Sequence, residues 1–100
     1  METAIRQGDV ILVKVDMLPE KAKLVASNVL REGEVTGHKH KVEGDVSVFS
    51  VGELLYVNVN GKAKIVHNTH RMIELPTGIY EVRVPQEYDY IEEEKRWVSD

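Results

Sequence analysis

Cysteine is absent from this 100-residue chain. Disulfides, thiolate metal sites and cysteine nucleophiles are therefore excluded, and the absence fits a reducing compartment. A surplus of basic residues is also missing. The formal charge is −4 and the pI is near 5.6, which argues against an electrostatic footprint for nucleic acid or for an anionic membrane. Long apolar runs are missing too. The longest, Val10 to Val13, is far too short to span a bilayer. The opening Met1-Glu2-Thr3-Ala4-Ile5-Arg6 lacks an apolar run of signal length. These features predict a soluble, cytoplasmic protein. No serine stands in a Gly-X-Ser-X-Gly elbow, and the glycines lack the spacing of a phosphate-binding or dinucleotide-binding loop. There is no internal repeat, low-complexity tract or linker.

What is present reads as one β domain over residues 1–100. A hydrophobic fraction of 42% and a charged fraction of 30% are ordinary for a globular chain, and this length supports a single core. Turn-forming residues recur throughout, at Gly8-Asp9, Pro19, Gly33, Gly37, Gly44-Asp45, Gly52, Asn60-Gly61, Pro76-Thr77-Gly78 and Pro85. Short runs rich in valine, isoleucine and tyrosine lie between them. This pattern predicts an all-β, single-domain antiparallel barrel or sandwich of about seven or eight short strands.

Val10 to Val15 reads as a strand covered on both faces. Pro19 to Ala26 reads as a helical turn or a loop, and Val29-Leu30 as a brief strand. Val46 to Val51 reads as a strand with Val46, Val48 and Ser50 on one face. Asn60-Gly61 predicts a hairpin. A loop over Val59 to Gly61 would pair Val57 with Ala63 and Leu55 with Ile65, with Gly61 at positive φ. Pro76-Thr77-Gly78 is a turn into Ile79 to Val84, with Tyr80, Val82 and Val84 on one face and Glu81 and Arg83 on the other. In the tail, Glu92 to Glu94 is a solvated face and Trp97 a packing anchor. Tyr88 and Tyr90 suit either edge packing or partner contact.

The four histidines fall in two pairs, His38/His40 and His67/His70. On a strand, His38 and His40 share a face with Val42, while Lys39, Lys41 and Glu43 point the other way. His67 is placed on the face of Ala63 and Ile65. His70 joins it only if Asn68-Thr69 forms a turn or bulge. Neutral imidazoles are good ligands for zinc, copper, iron and nickel. The functional reading is a metal site built from His38, His40, His67 and His70, with Glu43 or Glu34 completing the shell. Three ligands and an open position would suit catalysis, and four would suit structure. The competing reading is of polar strand-end residues hydrogen-bonded to their neighbours.

Three segments together carry a resemblance. They are Arg6-Gln7-Gly8-Asp9-Val10, then Gly33-Glu34-Val35-Thr36-Gly37-His38-Lys39-His40, then His67-Asn68-Thr69-His70 with Ile73-Glu74-Leu75-Pro76-Thr77-Gly78-Ile79-Tyr80. In this order they resemble a group of small, uncharacterised proteins of prokaryotes and their phages, which implies no particular activity. His38, His40 and Glu43 are also similar to the first motif of cupins. The second cupin motif places Pro-X-Gly before a histidine, whereas Pro76-Thr77-Gly78 follows His67 and His70. The run Gly8 to Lys14 resembles the small barrel of the co-chaperonin family, without a matching mobile-loop signature.

The leading functional expectation is a small binding domain whose histidine cleft holds a divalent metal (zinc, iron or nickel) or a polar ligand. The enzyme alternative is a cupin-like, metal-dependent activity using His38, His40 and one of His67 or His70, with Glu43 as ligand or base. The third is a phage or host accessory protein acting by protein contact, as a homodimer through a strand edge.

Overall fold

The computed structural model describes residues 4–32 and 37–84. Eight strands run through these residues in chain order: β1 (Ala4–Gln7), β2 (Val10–Val15), β3 (Lys23–Val25), β4 (Val29–Glu32), β5 (Lys39–Val51), β6 (Leu54–Val66), β7 (Ile73–Leu75) and β8 (Gly78–Arg83). No helix occurs among the described residues, and so none long and apolar enough to cross a membrane. Every pairing is antiparallel. One sheet of order β1-β2-β8-β6-β5-β3 results, with β4 also pairing β5 and β7 also pairing β6. The all-β antiparallel expectation therefore stands, as an open sheet rather than a closed barrel. Gly33, Glu34, Pro85, Tyr88, Tyr90, Glu92 to Glu94 and Trp97 lie outside the described residues.

The β5–β6 hairpin is the spine of the fold. Its strands are 13 residues each, and Val51 pairs Leu54 across Gly52-Glu53. Gly52 has a φ of 62°, the left-handed value that a two-residue hairpin turn requires at its first central position. The expected turn at Asn60-Gly61 is not there. Chain direction is unchanged through it, and β6 continues to Val66. Gly44 pairs Ala63 and Val46 pairs Val59, so Asn60, Gly61 and Lys62 face Asp45 alone. Asn60-Gly61 is thus a bulge. It inserts two residues rather than one, so the inward alternation of Val57 and Val59 carries on into Ala63 and Ile65. Gly44 takes up the bend at φ 106°, and a Cβ there would run into the Lys62 carbonyl.

The bulge divides the spine into two parts. Beyond it, toward the Gly52 turn, β6 pairs β8 through Leu55 to Val59, and β5 pairs β3 through Val48 to Ser50. Before it, β6 pairs β7 through Ala63 to Ile65, and β5 pairs β4 through Lys39 to Lys41. Both parts share one core. Val10, Leu12, Val48, Val57, Val59, Tyr80 and Val82 pack with Leu30, Val42, Ala63, Ile65 and Leu75. A fully buried valine or leucine contributes about 1.5–3 kcal/mol, so this shared core explains why the bent sheet holds its shape. Tyr80 is fully buried and donates its hydroxyl to the Pro76 carbonyl at 2.7 Å, which anchors the turn before β8. Burial pushes the Tyr80 phenol above its ordinary value.

Val10, Leu12 and Val13 are buried, and because Leu12 and Val13 point to opposite faces, β2 is covered on both sides there. The segment after Pro19 begins as a turn, with Ala22 N–H donating to the Pro19 carbonyl at 3.1 Å, but Lys23–Val25, expected to be helical turn or loop, is strand β3 paired to β5. Val29-Leu30 opens β4.

Candidate functional site

Four turns and strand ends meet at one corner of the sheet. Gln7 closes β1, and Gly8-Asp9 forms the two-residue turn into β2, with Gln7 opposite Val10. Gly8 has φ 62° and Asp9 a negative φ, as expected of a hairpin turn with glycine first. Arg31 comes from β4 and His40 from the start of β5, with His38 just ahead of it. His67 follows the last residue of β6, and Thr69 and His70 lie in the loop to β7. A cavity of about 330 Å³ is lined by Asp9, Arg31, His38, His40, His67, Thr69 and His70.

His40 is buried because strand alternation points it inward with Val42. Its Nδ1 lies 2.9 Å from Gln7 Oε1. Gln7 is itself buried, and its amide nitrogen donates to the Ile65 carbonyl at 3.2 Å and the Arg71 carbonyl at 2.9 Å. Those two acceptors fix which end of the amide is oxygen. Oε1 accepts only, so His40 Nδ1 must carry a proton. In the neutral ring the Nε2 lone pair then points outward, and Asp9 Oδ1 stands 3.3 Å from it. A carboxylate facing a lone pair is repulsive unless a proton or a cation lies between them. Burial holds His40 below the ordinary histidine value, and repulsion from His67 adds to it, against a smaller opposing pull from Asp9. The far side of the Asp9 carboxylate is held by Arg31 Nε, 3.1 Å from Oδ2.

His67 is locked the other way round. Its Nδ1 accepts the Thr69 N–H at 3.0 Å and the His70 N–H at 3.3 Å. This bonding folds Asn68-Thr69 into the turn that carries His70 back to the pocket. The neutral ring must therefore carry its proton on Nε2. Burial, then the neighbouring His70 and His38, hold His67 below the ordinary histidine value. His70 lies over the Gly8 turn, and a Cβ on Gly8 would come within 2.6 Å of its Nε2. Ring centroids are 4.2 Å apart for His40–His67, 4.6 Å for His67–His70, 5.5 Å for His38–His67 and 5.9 Å for His40–His70.

The structure thus brings His38, His40, His67 and His70 to one cavity and leaves Glu43 out of it. Glu43 points to the opposite face of β5 and lies 3.9 Å from Lys64. The reason is the two-residue period of the strand, which cannot put residues 40 and 43 on one side. As the side chains stand, no three His, Asp or Glu groups among the described residues are placed to hold one metal ion. Asp9 and Arg31 line the pocket and Gln7 backs His40, and the sequence reading named none of the three as a site residue. Gly8-Asp9 carried a signal as turn punctuation and within the Arg6 to Val10 segment of the resemblance, but not as part of a site.

The match to known families covers this corner and nearly all of the sheet. A family model described as Domain of unknown function (DUF8820) matches residues 6–85. The chain belongs to the DUF8820 family. This agrees with the resemblance to an uncharacterised group. No curated protein and no solved structure matches the chain. As a DUF8820 member, the chain is an uncharacterised small β domain, and the case for its chemistry must come from its own pocket.

Proposed function

We propose that this DUF8820 domain is a binding module for a divalent transition metal of the zinc class, held in the histidine pocket. The observation that supports this most directly is the confrontation of His40 Nε2 with Asp9 Oδ1 at 3.3 Å. With metal–ligand bonds of about 2.0–2.1 Å, two ligand atoms of a tetrahedral zinc stand roughly 3.3–3.4 Å apart. Gln7 and Arg31 supply the outer hydrogen bonds that orient a ligating imidazole and a ligating carboxylate.

A third nitrogen comes from His70. Two imidazoles on one tetrahedral zinc have centroids about 5 Å apart, and the His40–His70 separation is 5.9 Å with planes 19° apart. His70 is exposed, so rotation of its ring costs little packing. His38 is the candidate fourth donor at the rim. His67 keeps its Nδ1 on the loop amides and offers an Nε2–H instead of a lone pair. Asp9 takes the role that sequence reasoning had offered to Glu43.

The test is metal stoichiometry. Tag-free protein is stripped with chelator, loaded with zinc, desalted and measured by mass spectrometry. About one equivalent is expected in the wild type, with clear loss in D9A and H70A and none in E43Q. Retention below about a tenth of an equivalent in the wild type sinks the proposal.

A further inference from the structure

We infer that Asn60 is a site of spontaneous deamidation, through a ring closed by the Gly61 main-chain nitrogen, and that the β6 bulge opens it to this chemistry, however the histidine pocket is filled. Asparagine followed by glycine is a reactive pair, because glycine has no Cβ to obstruct its own nitrogen as it nears the asparagine Cγ. A strand ordinarily prevents that approach by holding the backbone extended and paired. The bulge lifts this restraint. β8 pairs β6 as far as Val59 opposite Gly78, and β7 pairs it from Ala63 opposite Leu75. On the other flank, Asp45 alone spans Asn60, Gly61 and Lys62. These three residues therefore have no register partner in β7 or β8 and share one residue of β5. Asn60 is exposed, and its side chain makes no hydrogen bond among the described residues.

The other asparagines are restrained. Asn58 stands in the ladder on both sides, opposite Ser47 and Ile79. Asn28 donates its side-chain amide to the Val42 carbonyl at 2.9 Å, and Asn68 Oδ1 accepts the Lys39 N–H at 2.9 Å. Each is followed by a β-branched residue, Val29, Val59 or Thr69, which crowds the attacking nitrogen. At Asn60 the Gly61 nitrogen bonds to Cγ and the Cγ–Nδ2 bond breaks. Nδ2 leaves as ammonia, with the proton that the Gly61 nitrogen gives up. Water then opens the cyclic imide, its hydroxyl adding to a carbonyl carbon and its proton returning to the nitrogen. Opening at Cγ gives aspartate. Opening at the main-chain carbonyl gives isoaspartate, whose longer backbone falls where the ladder is already interrupted. Either product sets a carboxylate opposite Asp45, whose Oδ2 would lie 2.6 Å from a Cβ on Gly61. Like charges facing each other across paired strands are destabilising.

The experiment incubates the full chain in mildly alkaline buffer made with oxygen-18 water, beside a synthetic peptide of the sequence from Val57 to Lys64. Digestion and fragmentation mass spectrometry locate each amide-to-acid change, and chromatography separates aspartate from isoaspartate. Asn60 in the folded chain is expected to convert at least about tenfold faster than Asn28, Asn58 or Asn68, and within about tenfold of the peptide. Reaction through global unfolding would instead be slower than the peptide by about a thousandfold or more. Both products are expected, each carrying the heavy oxygen. G61A, with a methyl beside the attacking nitrogen, is expected to slow the conversion by about tenfold or more. An Asn60 that stays intact in the folded chain while the peptide reacts overturns the inference. Aspartate without isoaspartate overturns the cyclic route. Equal rates at Asn58 and Asn60, or in G61A and the wild type, overturn it as well.

Discussion

Replacing Gln7 with methionine should cost this domain a large part of its stability and scramble the His40 tautomer. Methionine nearly matches glutamine in volume and has no amide, so the substitution removes three hydrogen bonds with little change in packing. The His40 Nδ1–H is left unpaired in a buried position, whereas the Ile65 carbonyl keeps its place opposite Ile73 in the β6–β7 ladder and the Arg71 carbonyl is only part-buried. An unsatisfied buried polar group costs about 1–3 kcal/mol. That group, with about 0.5–1.5 kcal/mol for each of the two lost bonds to carbonyls, less about 1 kcal/mol regained by burying an apolar side chain, gives a net loss of about 1–5 kcal/mol. Against a total of about 5–15 kcal/mol for a domain, that is a substantial fraction. Equilibrium urea unfolding reads it directly. With a slope of about 1–2 kcal/mol per molar, the midpoint should fall by roughly 2 M. Nitrogen-15 chemical shifts of the imidazoles supply the second readout. At pH 8 the wild-type His40 should be protonated on Nδ1, and Q7M should show mixed tautomers. A stability loss under about 0.5 kcal/mol, the level of an indifferent surface change, would refute the argument, as would a wild-type His40 protonated on Nε2 alone.

The metal-free domain should lose stability as pH falls from about 7.5 to 5. His40 and His67 both sit below the ordinary histidine value of 6.5 when folded. The unfolded chain therefore binds more protons in this window, and stability present above 6.5 is lost as pH drops through the folded values. A urea midpoint that is flat or rises toward pH 5 contradicts this sign. G44A and G61A should separate sharply in thermal melts. Gly44 is left-handed and its Cβ would meet backbone, whereas a Cβ on Gly61 would meet only the exposed Asp45 side chain. Losses of about 3 kcal/mol or more and of under about 1 kcal/mol are expected, and a G61A loss as large as that of G44A would favour a true turn at Asn60-Gly61. G8A should both destabilise, by about 1–3 kcal/mol from its φ, and weaken zinc retention by displacing His70, read by melts and metal analysis. Y56F should cost only about 0.5–1.5 kcal/mol in urea unfolding, because it removes the single bond from the Tyr56 hydroxyl to Glu81 at 3.2 Å.

Much of this architecture was legible because strand physics is local. Alternation in Val46 to Val51 and Ile79 to Val84 identified both strands and their faces. It also turned His40 inward and Glu43 outward, which already counted against Glu43 as a partner for His40. Parity was the limit of that logic. A hairpin with its loop at Val59 to Gly61 and a strand running straight through it both keep Val57, Ala63 and Ile65 on one side, so the pattern could not choose between them. The choice was made by a more distant competition. Gly52-Glu53 closes the longer hairpin, and Gly44 bends across from Asn60-Gly61 to absorb the bulge.

The pocket divides along the same line. The sequence by itself determined an all-β chain, a set of polar groups at the histidine pairs limited to imidazole, carboxylate and other non-thiol side chains, and two histidine pairs beside turn residues. These follow from composition and from periods of a few residues. Only the tertiary structure decided that Asp9 and Gln7 flank His40 across 31 and 33 positions of chain, and that Arg31 holds Asp9 from the other side. It also decided the tautomers. Gln7 can orient His40 only because Ile65 and Arg71 present their carbonyls to it from β6 and the loop that follows. Contacts of that range depend on how a bent sheet folds over its own core, and no local pattern encodes them.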